Sequence, residues 1–159
     1  MLGTVETAKQ PKNNLLWLGA QIIIVVPMKN LIAKAHGTAK EKGFWDTERN
    51  VSEMLMLIVS EVAEAQEALR KDHYAKPLTV VSLSHDLELA NTDEEFELNT
   101  AAWKEQFENH IKSSFEDEIA DVAIRLFDLC GGLNIDLEKH IELKMKYNSM
   151  RGYKHGKAF

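Results

Sequence analysis

Two short stretches of this 159-residue chain set acidic side chains at a spacing that a helix would turn into neighbours. In 61-EVAE-64, Glu61 and Glu64 stand three residues apart, and in 118-EIAD-121 Glu118 and Asp121 repeat that spacing. Residues i and i+3 project from nearly the same face of an α-helix, so each pair presents two carboxylates together. Both pairs border apolar residues: Ile58, Val62 and Ala65 around the first, Ile119 and Val122 around the second. Like charges at this distance repel, and burying them uncompensated is costly. Two arrangements remove the penalty: the carboxylates point to water, or they hold a divalent cation. If the two helices pack antiparallel, all four acids converge on one spot. An oxygen-only donor set suits a hard ion, Mg²⁺ first and Mn²⁺ second. The competing reading is a pair of solvated acidic faces, since glutamate is a good helix former.

Arg125 lies four residues after Asp121, on the same helical face. A guanidinium beside a divalent ion is what a polyphosphate needs, because the ion bridges phosphate oxygens while arginine grips another bidentately. The plainer alternative is an i, i+4 salt bridge to Asp121. Lys146, Arg151, Lys154 and Lys157 add positive charge near the C-terminus, either for an anion or as a solvated tail.

Helices must position these groups, and helical signals dominate after Met28. Residues 29–42 read as a short helix ended by Gly43 at C′. Asp46 and Thr47 are candidate N-caps for a longer helix running to about Lys71, with Leu55, Ile58, Val62, Ala65 and Leu69 as its apolar stripe. Pro77 closes that region. Residues 72–112 read as an excursion between the acidic helices: 78-LTVVSLSHDLELANTDEEFELNT-100 mixes a short strand with an acidic stretch and is followed by a short helix around Trp103–Ile111. From Ser113 the period returns, with Phe115, Ile119, Val122, Leu126 and Leu129 on one face and Gly131-Gly132 as the stop. Asp136 caps a last helix from Leu137 to about Met150. The expected fold is an all-α helical bundle.

Composition bounds the rest. The chain has the length of one domain, with 45% apolar and 28% charged residues, which excludes intrinsic disorder. A net charge of −6 disfavours a nucleic acid polymer or an anionic membrane as partner, while a nucleotide stays open because a metal supplies positive charge locally. The single cysteine, Cys130, precludes an internal disulfide and fits a reducing, cytoplasmic compartment. It reads as a small buried hydrophobe rather than a nucleophile. The run 15-LLWLGAQIIIVVPM-28 is short for a membrane span and lacks a small-residue cleavage site. Its β-branched part is a strand or an interface segment, or else residues 1–27 are an apolar extension of a domain spanning 28–159.

With its neighbouring text, the acidic pattern resembles the MazG-like, all-α nucleoside triphosphate pyrophosphohydrolases. The resemblance runs from Met28 to Phe159 through 42-KGFWDTERNVSEMLMLIVSEVAEAQEALR-70 and 115-FEDEIADVAIRLFDLCGGLNIDLEKHIELKMKYNSMRGYKHGKAF-159, and is weak over Pro77–Lys112. It implies a four-helix core and hydrolysis of a (deoxy)nucleoside triphosphate between its α- and β-phosphates, in nucleotide-pool cleaning or adjustment. It implies Glu61, Glu64, Glu118 and Asp121 as Mg²⁺ ligands and catalytic acids. Lys146, Asn148, Arg151 and Lys154 match positions expected to contact the triphosphate. Phe44 and Trp45 would stack on the base or plug the start of a helix. A homodimer or homotetramer is the implied assembly. A ferritin-like di-iron bundle fits poorly, because neither acidic motif offers its Glu-x-x-His. A non-catalytic helical module that dimerises through apolar stripes is the remaining alternative.

Overall fold

A computed structural model describes residues 15–18, 21–24, 26–89 and 93–152, with side chains over 26–86 and 100–152. These residues form six helices: α1 (Met28–Glu41), α2 (Val51–Arg70), α3 (Pro77–Leu89), α4 (Asp93–His110), α5 (Phe115–Gly132) and α6 (Leu137–Ser149). The architecture is helical, as expected, with one addition. β1 (Leu15–Leu18) and β2 (Gln21–Ile24) pair antiparallel, Leu15 opposite Ile24 and Leu18 opposite Gln21. Ile22–Ile24 of the β-branched run thus lie in β2. No helix among the described residues is long and apolar enough to cross a membrane.

The chain divides into two compact units, Ile32–Ile135 and a second pairing Met1–Leu31 with Asp136–Phe159. In the second unit, Asp136 caps α6 as expected, its carboxylate accepting from the Lys139 N–H at 3.2 Å.

The first unit is organised by α2 against α5. Three links fix their relative direction. The Phe115 N–H donates to the His73 carbonyl at 2.9 Å. The Ala75 N–H donates to Glu116 Oε2, also at 2.9 Å. Arg125 reaches back to Glu61. The segment just after α2 thus meets the start of α5, while Glu61 in mid-α2 meets Arg125, and the helices run antiparallel. Their buried faces read Met54, Glu61, Ala65 and Ala68 on α2, and Glu118, Leu129 and Cys130 on α5. Alanines at two of these positions let the helix axes approach closely.

This contact face is rotated from the expected stripes. Leu55 and Val62 on α2 are 48% and 51% exposed, and Ile119 on α5 is 48% exposed. A window of apolar residues wider than one contact face allowed either edge to be chosen. The α2 N-cap is Asn50, not Asp46 or Thr47: its side chain accepts from the N–H groups of Ser52 and Glu53. The short strand expected within residues 78–100 is not formed: among the described residues, 78–89 belong to α3 and 93–100 to α4, and Pro77 opens α3 rather than closing the region before it, since proline suits the first helical position. The short helix expected at Trp103 is the second half of α4. α3 and α4 pack on one another, with Leu83 buried and the Trp103 indole N–H donating to its carbonyl at 3.3 Å.

Gly43 follows α1 with φ 80°, the left-handed turn expected of it. Gly131 and Gly132, however, are still helical, and the chain reverses at Asn134 with φ 53°. These glycines serve close packing. A Cβ on Gly131 would stand 2.5 Å from His36 Cβ, and one on Gly132 would stand 2.0 Å from Trp45 Cη2. Helix propensity alone favours Gly132→Ala by about 1 kcal/mol. The Trp45 contact should reverse that sign, giving a loss of about 1–3 kcal/mol in urea denaturation followed by tryptophan fluorescence; a stabilised variant would contradict the packing.

Candidate metal centre

The local sequence explains how each acid is held. Ser114, fully buried, caps α5 by accepting the Asp117 N–H on its hydroxyl at 3.3 Å. Ser113 turns the chain with φ 59° and donates its N–H to Asp117 Oδ2 at 2.8 Å. The first turn of α5 then carries Glu116, Asp117 and Glu118, where the positive end of the helix dipole favours negative charge. Glu118 falls on the face toward α2. Across the interface, Glu61 lies seven residues after Met54 and four before Ala65, on the contact face of α2.

Glu61, Glu64 and Glu118 each offer a carboxylate oxygen within 4.8 Å of the others. Glu61 and Glu118 are both only 5% exposed, whereas Glu64 reaches solvent. Two helices distant in sequence thus deliver three acids to one spot. Asp121, the fourth expected ligand, does not join this group. It is half-buried one turn along α5 and still feels the cluster electrostatically.

Arg125 does not pair with Asp121, the partner four residues back. Its Nε contacts Glu61 Oε1 on the opposite helix. Glu118 differs from Glu61 in having no hydrogen-bond or ion-pair partner for its side chain among the described residues. Burial chiefly, and then the negative charges of Glu64, Asp117, Asp121 and Glu61, push its carboxyl above the ordinary 4.5. Asp121 is raised above its ordinary 3.8, again mainly by burial and then by Asp117 and Glu61, with Arg125 acting in the opposite sense. Glu118 is 5% exposed as a residue, and no buried side-chain oxygen or nitrogen among the described residues lacks a partner, so its carboxylate oxygens keep an edge on solvent. Three carboxylates facing one another are a site short of positive charge. Its all-oxygen donor set fits a hard divalent cation.

The other expected contacts fall elsewhere. Lys146 and Asn148 lie on α6 and Arg151 just beyond it, in the second unit, and Lys154 falls outside the described residues. Trp45 belongs to a separate cluster within the Ile32–Ile135 unit. Its indole N–H donates to Asp128 Oδ1 at 2.8 Å, and His36 Nδ1 lies 2.9 Å from the same oxygen. The His36 and Trp45 rings meet edge to face with centroids 4.8 Å apart. The Arg49 guanidinium lies 5.7 Å from the Trp45 ring centroid. Sequence reasoning missed His36 and Asp128, which stand 92 residues apart. The one available signal was the Gly131-Gly132 pair, which marks a close approach rather than a helix stop. Cys130 is buried and burial raises its thiol pKa, consistent with a packing role.

Because folding raises the proton affinity of Glu118 and Asp121, their contribution to stability is full below their ordinary values and is lost as pH rises through the raised ones. In chelator, Glu118→Gln should therefore melt above the parent protein near neutral pH, by on the order of 1 kcal/mol, or roughly 2–4 °C. The gap should close toward about pH 4, where the parent carboxyl is protonated. A gap that does not vary with pH, measured by differential scanning calorimetry, would show that Glu118 is not a strained carboxylate.

No family model, curated protein or solved structure matches this chain.

Proposed function

We propose that this protein is a divalent-metal-dependent nucleoside triphosphate pyrophosphohydrolase of the MazG-like type, releasing the monophosphate and pyrophosphate. The observation that carries the reading is the convergence of Glu61, Glu64 and Glu118 from α2 and α5, two of them in buried residues and only Glu61 paired with a cation. These three residues are the ligands. A divalent cation, Mg²⁺ or Mn²⁺, would supply charge neutralisation at the phosphates and acidify the attacking water.

The protein's own groups do the rest. Asp121 stands beside the trio but outside it, which leaves its carboxylate free to accept the proton of the water that attacks the α-phosphorus. The bond from that phosphorus to the bridging oxygen breaks, and pyrophosphate leaves. Arg125, close to half exposed on the same helical face, grips a phosphate oxygen. The resemblance alone also offers Lys146, Asn148, Arg151 and Lys154 as phosphate-binding groups. The Trp45 indole N–H is engaged by Asp128, so a base would use the ring face and displace Arg49.

Assembly as a homodimer or homotetramer fits the second apolar row on α2. Leu55, Val59, Val62 and Leu69 share a face, each at least 40% exposed. The same row supports the competing reading, a non-catalytic module that dimerises through α2.

Turnover separates the two. The full chain, incubated with a panel of ribo- and deoxynucleoside triphosphates and Mg²⁺ or Mn²⁺, should form monophosphate and pyrophosphate in equal amounts. Glu64→Gln, which alters an exposed ligand with little effect on the fold, should lower kcat/KM at least about 100-fold, since even outer-shell partners of a metal are worth 10–100-fold. Absence of turnover with every triphosphate, or release of single phosphate instead of pyrophosphate, would overturn the assignment.

A further inference from the structure

Arg125 is the one basic group paired with the acidic cluster among the described residues. The other ion pairs described, Arg70 and Lys71 with Glu67, Lys104 with Glu108 and His36 with Asp128, involve none of its members. Arg125 is also the only cation among the charges acting on Asp121. Its side chain is 42% exposed while that of Glu61 is 7% exposed, so one end of the pair is anchored and the other borders water. It lies seven residues after Glu118 on the face turned toward α2.

We propose that Arg125 is a displaceable internal counter-cation: it neutralises Glu61 while the cluster is metal-free, is driven off when a divalent ion enters, and so becomes available to bind phosphate only once the metal is in place. This rests on the metal-dependent reading above and adds an order of events to it. Glu61 Oε1 cannot serve the guanidinium and an ion fully at once, and two cations at that spacing repel. Glu118 has no such placeholder, which leaves an unfilled place for positive charge beside the one that Arg125 fills. The swing costs little because the guanidinium already meets solvent and retains its hydration when released. Metal and triphosphate then bind with positive coupling, each favouring the state in which the Arg125–Glu61 contact is open.

The test uses the full chain and two measurements. In calorimetric titration with Mn²⁺ alone, Arg125→Met should bind the ion about tenfold tighter than the parent, having lost the competitor. The same variant, saturated with Mn²⁺, should bind an α,β-methylene nucleoside triphosphate at least about tenfold more weakly, having lost the phosphate contact. NMR of the parent protein supplies a readout that requires no variant to fold. The Arg125 Nε–H signal, slowly exchanging in chelator, should shift and lose its protection on adding Mg²⁺, before any nucleotide. An unchanged or weakened Mn²⁺ affinity in Arg125→Met, or an Nε–H that stays protected in saturating Mg²⁺, overturns the displacement while leaving the metal centre intact. Failure of the parent protein to bind Mn²⁺ overturns the displacement and the metal-dependent reading together.

Discussion

Two glutamates buried in the seam between α2 and α5 set the terms for the rest of the molecule. Met54, Ala65, Ala68 and Leu129 contribute apolar burial to that seam, and every buried carboxylate in it subtracts from that contribution. Glu61 is offset by Arg125 across the seam. Glu118 has only the dipole of the α5 N-terminus and a raised proton affinity to relieve it. Selection for stability alone would replace such a residue with an apolar one of similar volume. Its place in the first turn of α5, facing α2, concentrates negative charge in that seam.

The register of the helix pair is what gives that concentration its geometry. The link between His73 and Phe115, and the one between Ala75 and Glu116, tie the end of α2 to the start of α5 through main-chain donors. Neither helix can slide by a turn without breaking both. Glu61 and Glu64 are thereby held at the level of Glu118, while the alanines beside them bring the helix axes close. The connection between the two helices, α3 and α4, is anchored at its base where the Lys76 N–H donates to the His110 carbonyl at 3.1 Å. An insertion of this length can vary without moving the acids, because its ends are fixed beside the two links.

Much of this was legible in the sequence, for reasons that differ by residue. The i, i+3 acids and their apolar neighbours carry a local signal, and a local period predicts a shared face. That Glu118 would be buried and unpaired is not local: it depends on which edge of a wide apolar window meets the other helix. The expected stripe through Leu55 and Val62 chose the wrong edge for that reason. Arg125 shows the same limit, since the i, i+4 rule offers Asp121 as partner and tertiary packing supplies Glu61 instead. The strand expected within residues 78–100 followed β-branched composition, which packing of α3 against α4 overrides. The His36, Trp45 and Asp128 cluster joins three distant segments and leaves only Gly131-Gly132 as a trace.

The donor chemistry narrows the ligand further. Among the described residues, the cluster contains only carboxylate oxygens. The imidazole of His36 is tied to Asp128 through Nδ1, and the Cys130 thiol is held protonated by burial, so neither softer donor competes for the ion. A site of two buried and one exposed carboxylate is too sparse to strip a large cation of its water and too oxygen-rich to select a soft metal. Under the proposed function, a small, strongly hydrated dication would meet both conditions. Glu64 is the exposed member of the trio, and the half-exposed Arg125 contacts its neighbour Glu61 from the other helix.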